Sequence, residues 1–400
     1  MTGVRQFDAA ERRARIGVRH RLAMGARAKC AEEVAASLVA VHSTDAGSVF
    51  LAIWARLADR GASALEVERA LYEERTLLRL MAMRRTMFVV DRDVAPMVHA
   101  ACSLTVAARE RAKLLKFMET GGVGGKHREA WLGKAETAAL EALAAGGELT
   151  ATELAASDPK LSAELVLSRG AKYEARVKMA SRVLTVLAAE GRVVRARPRG
   201  GWTSTQFRWA AMEGWAGEAL EELPAAEAEA ALAVRWLRAY GPASAEDLKW
   251  WTGWSVTQTK RALARDDVVA CTLEDGEPGV VLADDVDSVA VPAPWVALLP
   301  ALDATPMGFK RRDFYLGAHA ERLFDVNGNV APTVWADGRI VGGWARRPAG
   351  EIVFALLEDI GAEAEAAVTA EAAALTPRLG DATLAPRARG YAPLERELLR

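Results

Sequence analysis

Two hydrophobic periods alternate along the chain, and the alternation recurs three times. Stretches with apolar residues three and four apart are followed by paired short runs in which they fall every second residue. The first spacing predicts amphipathic helices and the second predicts hairpin strands. In the first block, "AEEVAASLVAVHST" and "GSVFLAIWARLA" read as helices, the latter with Phe50, Leu51, Trp54 and Leu57 at helical spacings. "ASALEVERALYEE" opens with Ser63 and Glu66 in a capping-box pattern. "TLLRLMAMRRTMFVVDRD" then predicts two strands around a basic turn at Arg84 and Arg85.

The second block begins at "LTATELAASD", a helix capped by Thr150 or Thr152, followed by "YEARVKMASRVLTVLAAEG", read as one long helix closed by Gly191. "RVVRARPRGGWTSTQFRWA" is the clearest hairpin, with Pro and paired Gly at its turn and Arg192, Arg195, Arg197 and Arg199 on its arms and tip. In the third block a helix ends at Gly241, and Pro242 marks the break. Ser244 with Asp247 opens the next helix, and "DDVVACTLEDGEPGVVLADD" supplies a hairpin with an acidic turn. Beyond it, "NGNVAPTVWADGRIVGGWA" predicts short strands with turns at Asn327-Gly328 and Asp337-Gly338, then a strand and an Ala-rich helix. The last residues, from Arg378, are expected to be loosely ordered.

Helices followed by a hairpin make a winged helix. The expected fold is mainly α with β-hairpins (α+β), with three tandem winged helix-turn-helix units and a small C-terminal β-rich segment. The expected boundaries are 1–118, 119–217, 218–290 and 291–400.

Half the residues are apolar (51%) and 26% are charged, which excludes a disordered chain. The 52 Lys plus Arg nearly cancel the 53 Asp plus Glu, so only local clusters can reveal a polyanion partner. Three scattered cysteines, Cys30, Cys102 and Cys271, fit neither a disulfide framework nor a zinc site. No signal peptide or membrane-length apolar run is present, so a soluble cytoplasmic protein is expected, without a membrane partner.

The chemistry most worth testing sits at "VHSTD". One of only five histidines, His42, stands beside Ser43, Thr44 and Asp45. Ser, Thr and Asp are also favoured helix caps, and a cap is the simpler reading of the last three. Basic clusters lie at Arg84 and Arg85, at Arg195, Arg197 and Arg199, and at Lys310, Arg311 and Arg312. They suit phosphate contact, although solvated turns are often equally basic. Trp54, Trp250, Trp251 and Trp254 follow helical spacing and read as core. "GGVGG" lacks the Lys-Ser/Thr ending of a phosphate loop, and Lys126, His127 and Arg128 after it read as a flexible basic loop.

"SLVAVHSTDAGSVFLAIWARL" resembles the signature segment of the AlkZ/YcaQ-like winged-helix DNA glycosylases. "MRRTMFVV", "GGWTSTQFRW", "YGPASAEDLKWWTGW", "LLPALD" and "VWADGRIVGGW" follow in the family's order. The resemblance implies three winged helices in a C-shaped arrangement around duplex DNA. It also implies hydrolysis of the N-glycosidic bond of bulky N7-alkylguanine, crosslinks included, and in several members self-resistance to a genotoxic natural product. A cytoplasmic, nucleoid-associated monomer acting on double-stranded DNA with alkylated guanine is expected, with no cofactor and no metal.

The family's catalytic pair, Gln-x-Gln or Gln-x-Asp, falls on His42 and Thr44, so this chain departs at both positions. Asp45 matches the family's usual Asp, whereas Ala46 replaces its Pro. The resemblance further includes a subset with His and Ser or Thr here, associated with natural-product resistance. On this reading His42, Thr44 and Asp45 are the candidate catalytic residues. A cationic N7-alkylguanine departs as a neutral base, leaving an oxocarbenium-like sugar for water to attack. A neutral His42 can accept a hydrogen bond from that water as general base, Thr44 can position it, and Asp45 can orient the imidazole or stabilise the developing positive charge. The motif offers no lysine for a Schiff base, which points to a monofunctional enzyme. The rival readings are a DNA-binding protein without catalysis, either a regulator or an adduct binder, and a protein-interaction scaffold.

Overall fold

In the computed structural model the described residues are 4–168, 170, 172, 174–384 and 390–400. Helices dominate them, and the strands form small antiparallel sheets. Strands β1 (Val41–His42), β2 (Leu77–Ala82) and β3 (Thr86–Asp91) make the first sheet, in the order β1-β3-β2. The register aligns His42 with Phe88 and Leu80, while Val41, Val89 and Arg79 form the adjacent row. Because side chains alternate across a sheet, His42 and Arg79 project from opposite faces. The basic turn predicted between β2 and β3 is present, with positive φ at both Arg84 (54°) and Arg85 (63°).

The second block contains β4 (Leu149–Thr150), β5 (Glu164–Leu167), β6 (Ala175–Lys178), β7 (Val193–Arg195) and β8 (Arg208–Ala211). β7 and β8 are the predicted hairpin, joined by a long loop, and β4 adds to β8. The predicted long helix begins later, at Met179. The residues before it form β6, which pairs with β5 and sets Val177 against Leu165. Cross-strand pairing therefore overrides local helical spacing there. Tyr173, where that helix was to begin, lies outside the described residues.

The third block has helices Ala225–Tyr240, Ala245–Thr252 and Val256–Leu263 before the hairpin of β9 (Val268–Thr272) and β10 (Pro278–Leu282). Ser244 with Asp247 and Ser255 with Gln258 form capping boxes. Arg12, Arg15 and Arg19 of the first helix, Ala9–Arg19, reach to this block. Arg12 donates to the Pro242 carbonyl at 3.2 Å, and Arg15 meets Asp285 at 2.9 Å.

Strands β11 (Val296–Leu299), β12 (Thr333–Ala336), β13 (Arg339–Arg346) and β14 (Ile352–Leu356) form a four-stranded sheet in chain order. Asp337 and Gly338, both with positive φ, make the predicted two-residue turn. The tail departs from expectation. Residues 385–389 lie outside the described residues, but Pro393–Leu398 is a helix packed on β13. Leu394 is buried there over Gly343, where an added Cβ would come within 2.9 Å of it.

One hydrophobic core unites the first block, the third block and the C-terminal sheet. A second lies beneath the middle block.

Candidate functional site

The helix Ala31–Leu38 ends because Val39 adopts φ 63°, which turns the chain into β1. His42 closes that strand, and Ser43 donates its N–H to the Met87 carbonyl at 2.8 Å. Asp45 then caps the helix Ala46–Trp54: its Oδ1 accepts from the Gly47 N–H at 2.8 Å and the Ser48 N–H at 3.3 Å. The "HSTD" cluster is thus a strand end joined to a helix cap.

His42 is 8% exposed and meets Phe88 edge-to-face at 5.3 Å. Its Nδ1 is buried and has no hydrogen-bond partner among the described residues. Burial, and then the nearby Arg84 charge, push its pKa down to about 3, so the imidazole is neutral at physiological pH. The buried Ser43 Oγ also has no partner among the described residues, while Thr44 is exposed. Asp45 Oδ1 serves the cap, and among the described residues no hydrogen bond joins Thr44 or Asp45 to the imidazole Nδ1.

Beside His42, the Arg84 guanidinium lies 4.0 Å over the Trp250 ring, and Arg312 lies 5.0 Å from the same ring. Among the described residues Arg84 has neither an ion pair nor a hydrogen bond, and its Nε is buried. Burial and then the Arg312 charge lower its pKa to about 10. Arg312 donates Nε to the Pro306 carbonyl at 3.1 Å, leaving a buried Nη2 unpartnered. A cavity of about 370 Å³ opens beside Arg84, lined also by Arg85, Arg109, Gly253 and Gln258. Trp251 and Trp254 are core, as expected, but Trp250 is half-buried and carries the two cations.

The remaining basic residues are distributed differently. Arg85 pairs with Glu110, Arg197 with Glu68 and Glu73, Arg199 with Glu153, Lys310 with Glu246, and Arg311 with Glu277. Arg195 does not stand at a free hairpin tip. Its guanidinium packs 4.6 Å from the Phe207 ring, and burial and then Arg79 lower its pKa to about 10.

Three features were not singled out in the sequence. Trp202, in the β7–β8 loop, folds onto the Ala46–Trp54 helix, 4.8 Å from Phe50 and 5.2 Å from Trp54. Arg56 and Asp303 form a fully buried bidentate pair at 2.7 and 2.8 Å that fastens the 300–307 loop to that helix. Both lie inside the motifs "WARL" and "LLPALD", which was the available signal. Arg79 is the third, buried in β2 with Tyr72 as its one hydrogen-bond partner among the described residues.

No helix among the described residues is long and apolar enough to cross a membrane. No group of His, Cys, Asp and Glu among them could hold a metal ion.

The whole architecture recurs in a solved structure. It is similar to the Streptomyces sahachiroi DNA glycosylase AlkZ, with a TM-score of 0.71 at 20% identity, covering 98% of this chain and 99% of that one. The family model described as DNA glycosylase AlkZ-like matches residues 35–377, and the chain belongs to that family. No curated protein sequence matches it. Membership makes DNA the substrate and base excision the class of reaction.

Proposed function

We propose that this chain is a monofunctional DNA glycosylase that hydrolyses the N-glycosidic bond of bulky N7-alkylguanine, in the service of resistance to a DNA-alkylating natural product. The observation that carries the reading is His42: a neutral, buried imidazole with an unpartnered nitrogen, at the position of the family's catalytic pair. An imidazole with so low a pKa is a weak base. An oxocarbenium-like sugar is so electrophilic that water needs a hydrogen-bond acceptor and a fixed position more than a strong base. His42 supplies the acceptor and the exposed Thr44 hydroxyl helps place the water. Asp45 holds both by capping the helix that follows.

The unpaired Arg84 would repel a cationic base, so it belongs to the phosphate beside the lesion. Binding that phosphate would also ease the depression of the His42 pKa during the reaction. Arg312 shares this contact. Arg85, Arg197, Arg199, Lys310 and Arg311 reach duplex phosphates by exchanging their carboxylate partners. We further propose three winged helices within 1–118, 119–217 and 218–290, a C-terminal segment from 291, and a nucleoid-associated cytoplasmic monomer.

The test is single-turnover release from duplex DNA carrying bulky or simple N7-alkylguanine, comparing wild type with His42→Ala. A drop of at least tenfold supports the assignment. Unchanged release removes His42 from the chemistry. No release from any adduct, with tight binding retained, leaves a DNA-binding protein without catalysis.

A further inference from the structure

The face of the first sheet opposite His42 carries a second group of cations. Arg79 of β2 is 2% exposed, with Nε and Nη2 buried and unpartnered; its Nη1 donates to the Tyr72 hydroxyl. Arg195 of β7 comes against it across the contact between β2 and β7, with its own Nε sealed and unpartnered. The two guanidinium groups share one ring, Phe207, at 5.3 and 4.6 Å from its centroid. Tyr72 and Trp209 add further faces at 5.4 Å from Arg79 and 5.2 Å from Arg195. Neither cation has a carboxylate partner among the described residues. The nearby Glu68 and Glu73 are taken by Arg197.

Aromatic faces attract a cation, but they accept no N–H hydrogen bonds directed from the guanidinium edge. Three buried donors on two like charges are left unmet, and a buried unpaired charge is among the most unfavourable arrangements in a protein interior. A tetrahedral oxoanion has the oxygens to accept from all three and the charge to neutralise both groups. Phe207 and Arg195 are half-buried, on the side of the long β7–β8 loop, from which an anion would approach.

We propose that Arg79, Arg195 and Tyr72 form a phosphate-binding site at the β2–β7 contact, separate from His42, filled by a phosphodiester of bound DNA or by free phosphate. The site deepens the DNA-contact reading of Arg195 and does not depend on base excision.

The test uses the full chain as wild type, Arg79→Met and Arg195→Met, with Arg176→Met as an exposed arginine outside the cluster. Thermal midpoints are measured in phosphate and in chloride at matched ionic strength, and affinity for undamaged duplex is followed against salt. Free phosphate as the occupant gives a saturable phosphate-specific rise in Tm in wild type and Arg176→Met, lost in the two cluster variants. A phosphodiester as the occupant lowers the salt slope of both cluster variants by about one. Should Arg79→Met fail to fold, Arg195→Met alone decides the salt slope, and Arg195→Lys, which keeps the charge but removes the Nε donor, must weaken the phosphate-specific rise in Tm. Equal midpoints in phosphate and chloride, together with unchanged salt slopes, overturn the site. Excision is read separately: its absence with the phosphate response intact refutes the glycosylase reading alone.

Discussion

The Arg84 guanidinium lies 4.0 Å above the Trp250 ring without an ion pair or hydrogen bond among the described residues. A tight turn with positive φ at Arg84 and Arg85 brings the cation there, and Gly253 admits it: an added Cβ would sit 3.1 Å from Arg84 Cγ. The arrangement holds a desolvated cation next to His42 before any substrate arrives.

Removing the ring should therefore loosen the cation without unfolding the chain. Trp250→Ala is expected to weaken duplex binding about fivefold, corresponding to loss of a cation–π contact of about 1 kcal/mol. Fluorescence anisotropy with undamaged duplex measures it. Binding equal to wild type would show that Arg84 needs no platform.

The buried histidines contribute to the acid limb of stability. His42 and His20 both have folded pKa values near 3, below the ordinary 6.5, chiefly through burial. Below pH 6.5 the unfolded chain takes up protons that the folded chain refuses, so stability falls as pH drops towards 3. The slope reaches about 1.4 kcal/mol per pH unit for each site. Urea unfolding of His42→Gln between pH 7 and 4 should show a shallower decline than wild type. Equal slopes would mean that His42 is solvated in the folded state.

Asp45 can be tested as cap against charge. Asp45→Asn retains a capping oxygen, whereas Asp45→Ala loses it at a cost of about 1 kcal/mol. Excision should follow the cap: near wild type in Asn and reduced in Ala. A comparable loss in both would assign the carboxylate charge a role of its own.

Arg56 and Asp303 are fully buried and make a bidentate pair. Arg56→Ala leaves an uncompensated carboxylate and should cost about 3–5 kcal/mol. Denaturant titration measures it, and a cost below about 1 kcal/mol would mean that water replaces the guanidinium.

Trp202 fastens the β7–β8 loop to the helix after Asp45. Trp202→Ala should release that loop and speed tryptic cleavage after Arg199 severalfold, with the rest of the chain protected. Cleavage at the wild-type rate would show that the loop is held elsewhere.

The local features were legible in the sequence because each arises within a few residues. The Arg84–Arg85 turn, the Ser244–Asp247 cap, the Asp337-Gly338 turn and the β7–β8 hairpin depend on periodicity, capping oxygens and turn chemistry. The family could be named from ordered motifs, and the position of His42 came with it. Tertiary structure alone decided which groups meet. β6 became a strand because β5 was there to pair with it. Trp250, half-buried at the edge of the core, is faced by two arginines, one of them 62 positions further along the chain and the other 166 positions back. Arg195 was drawn inward to Phe207 and Arg79 rather than left at a hairpin tip. Burial and the charge of a partner distant in sequence are properties of the packed chain. They determine whether an arginine is solvated, paired or held ready, and why His42 stays neutral.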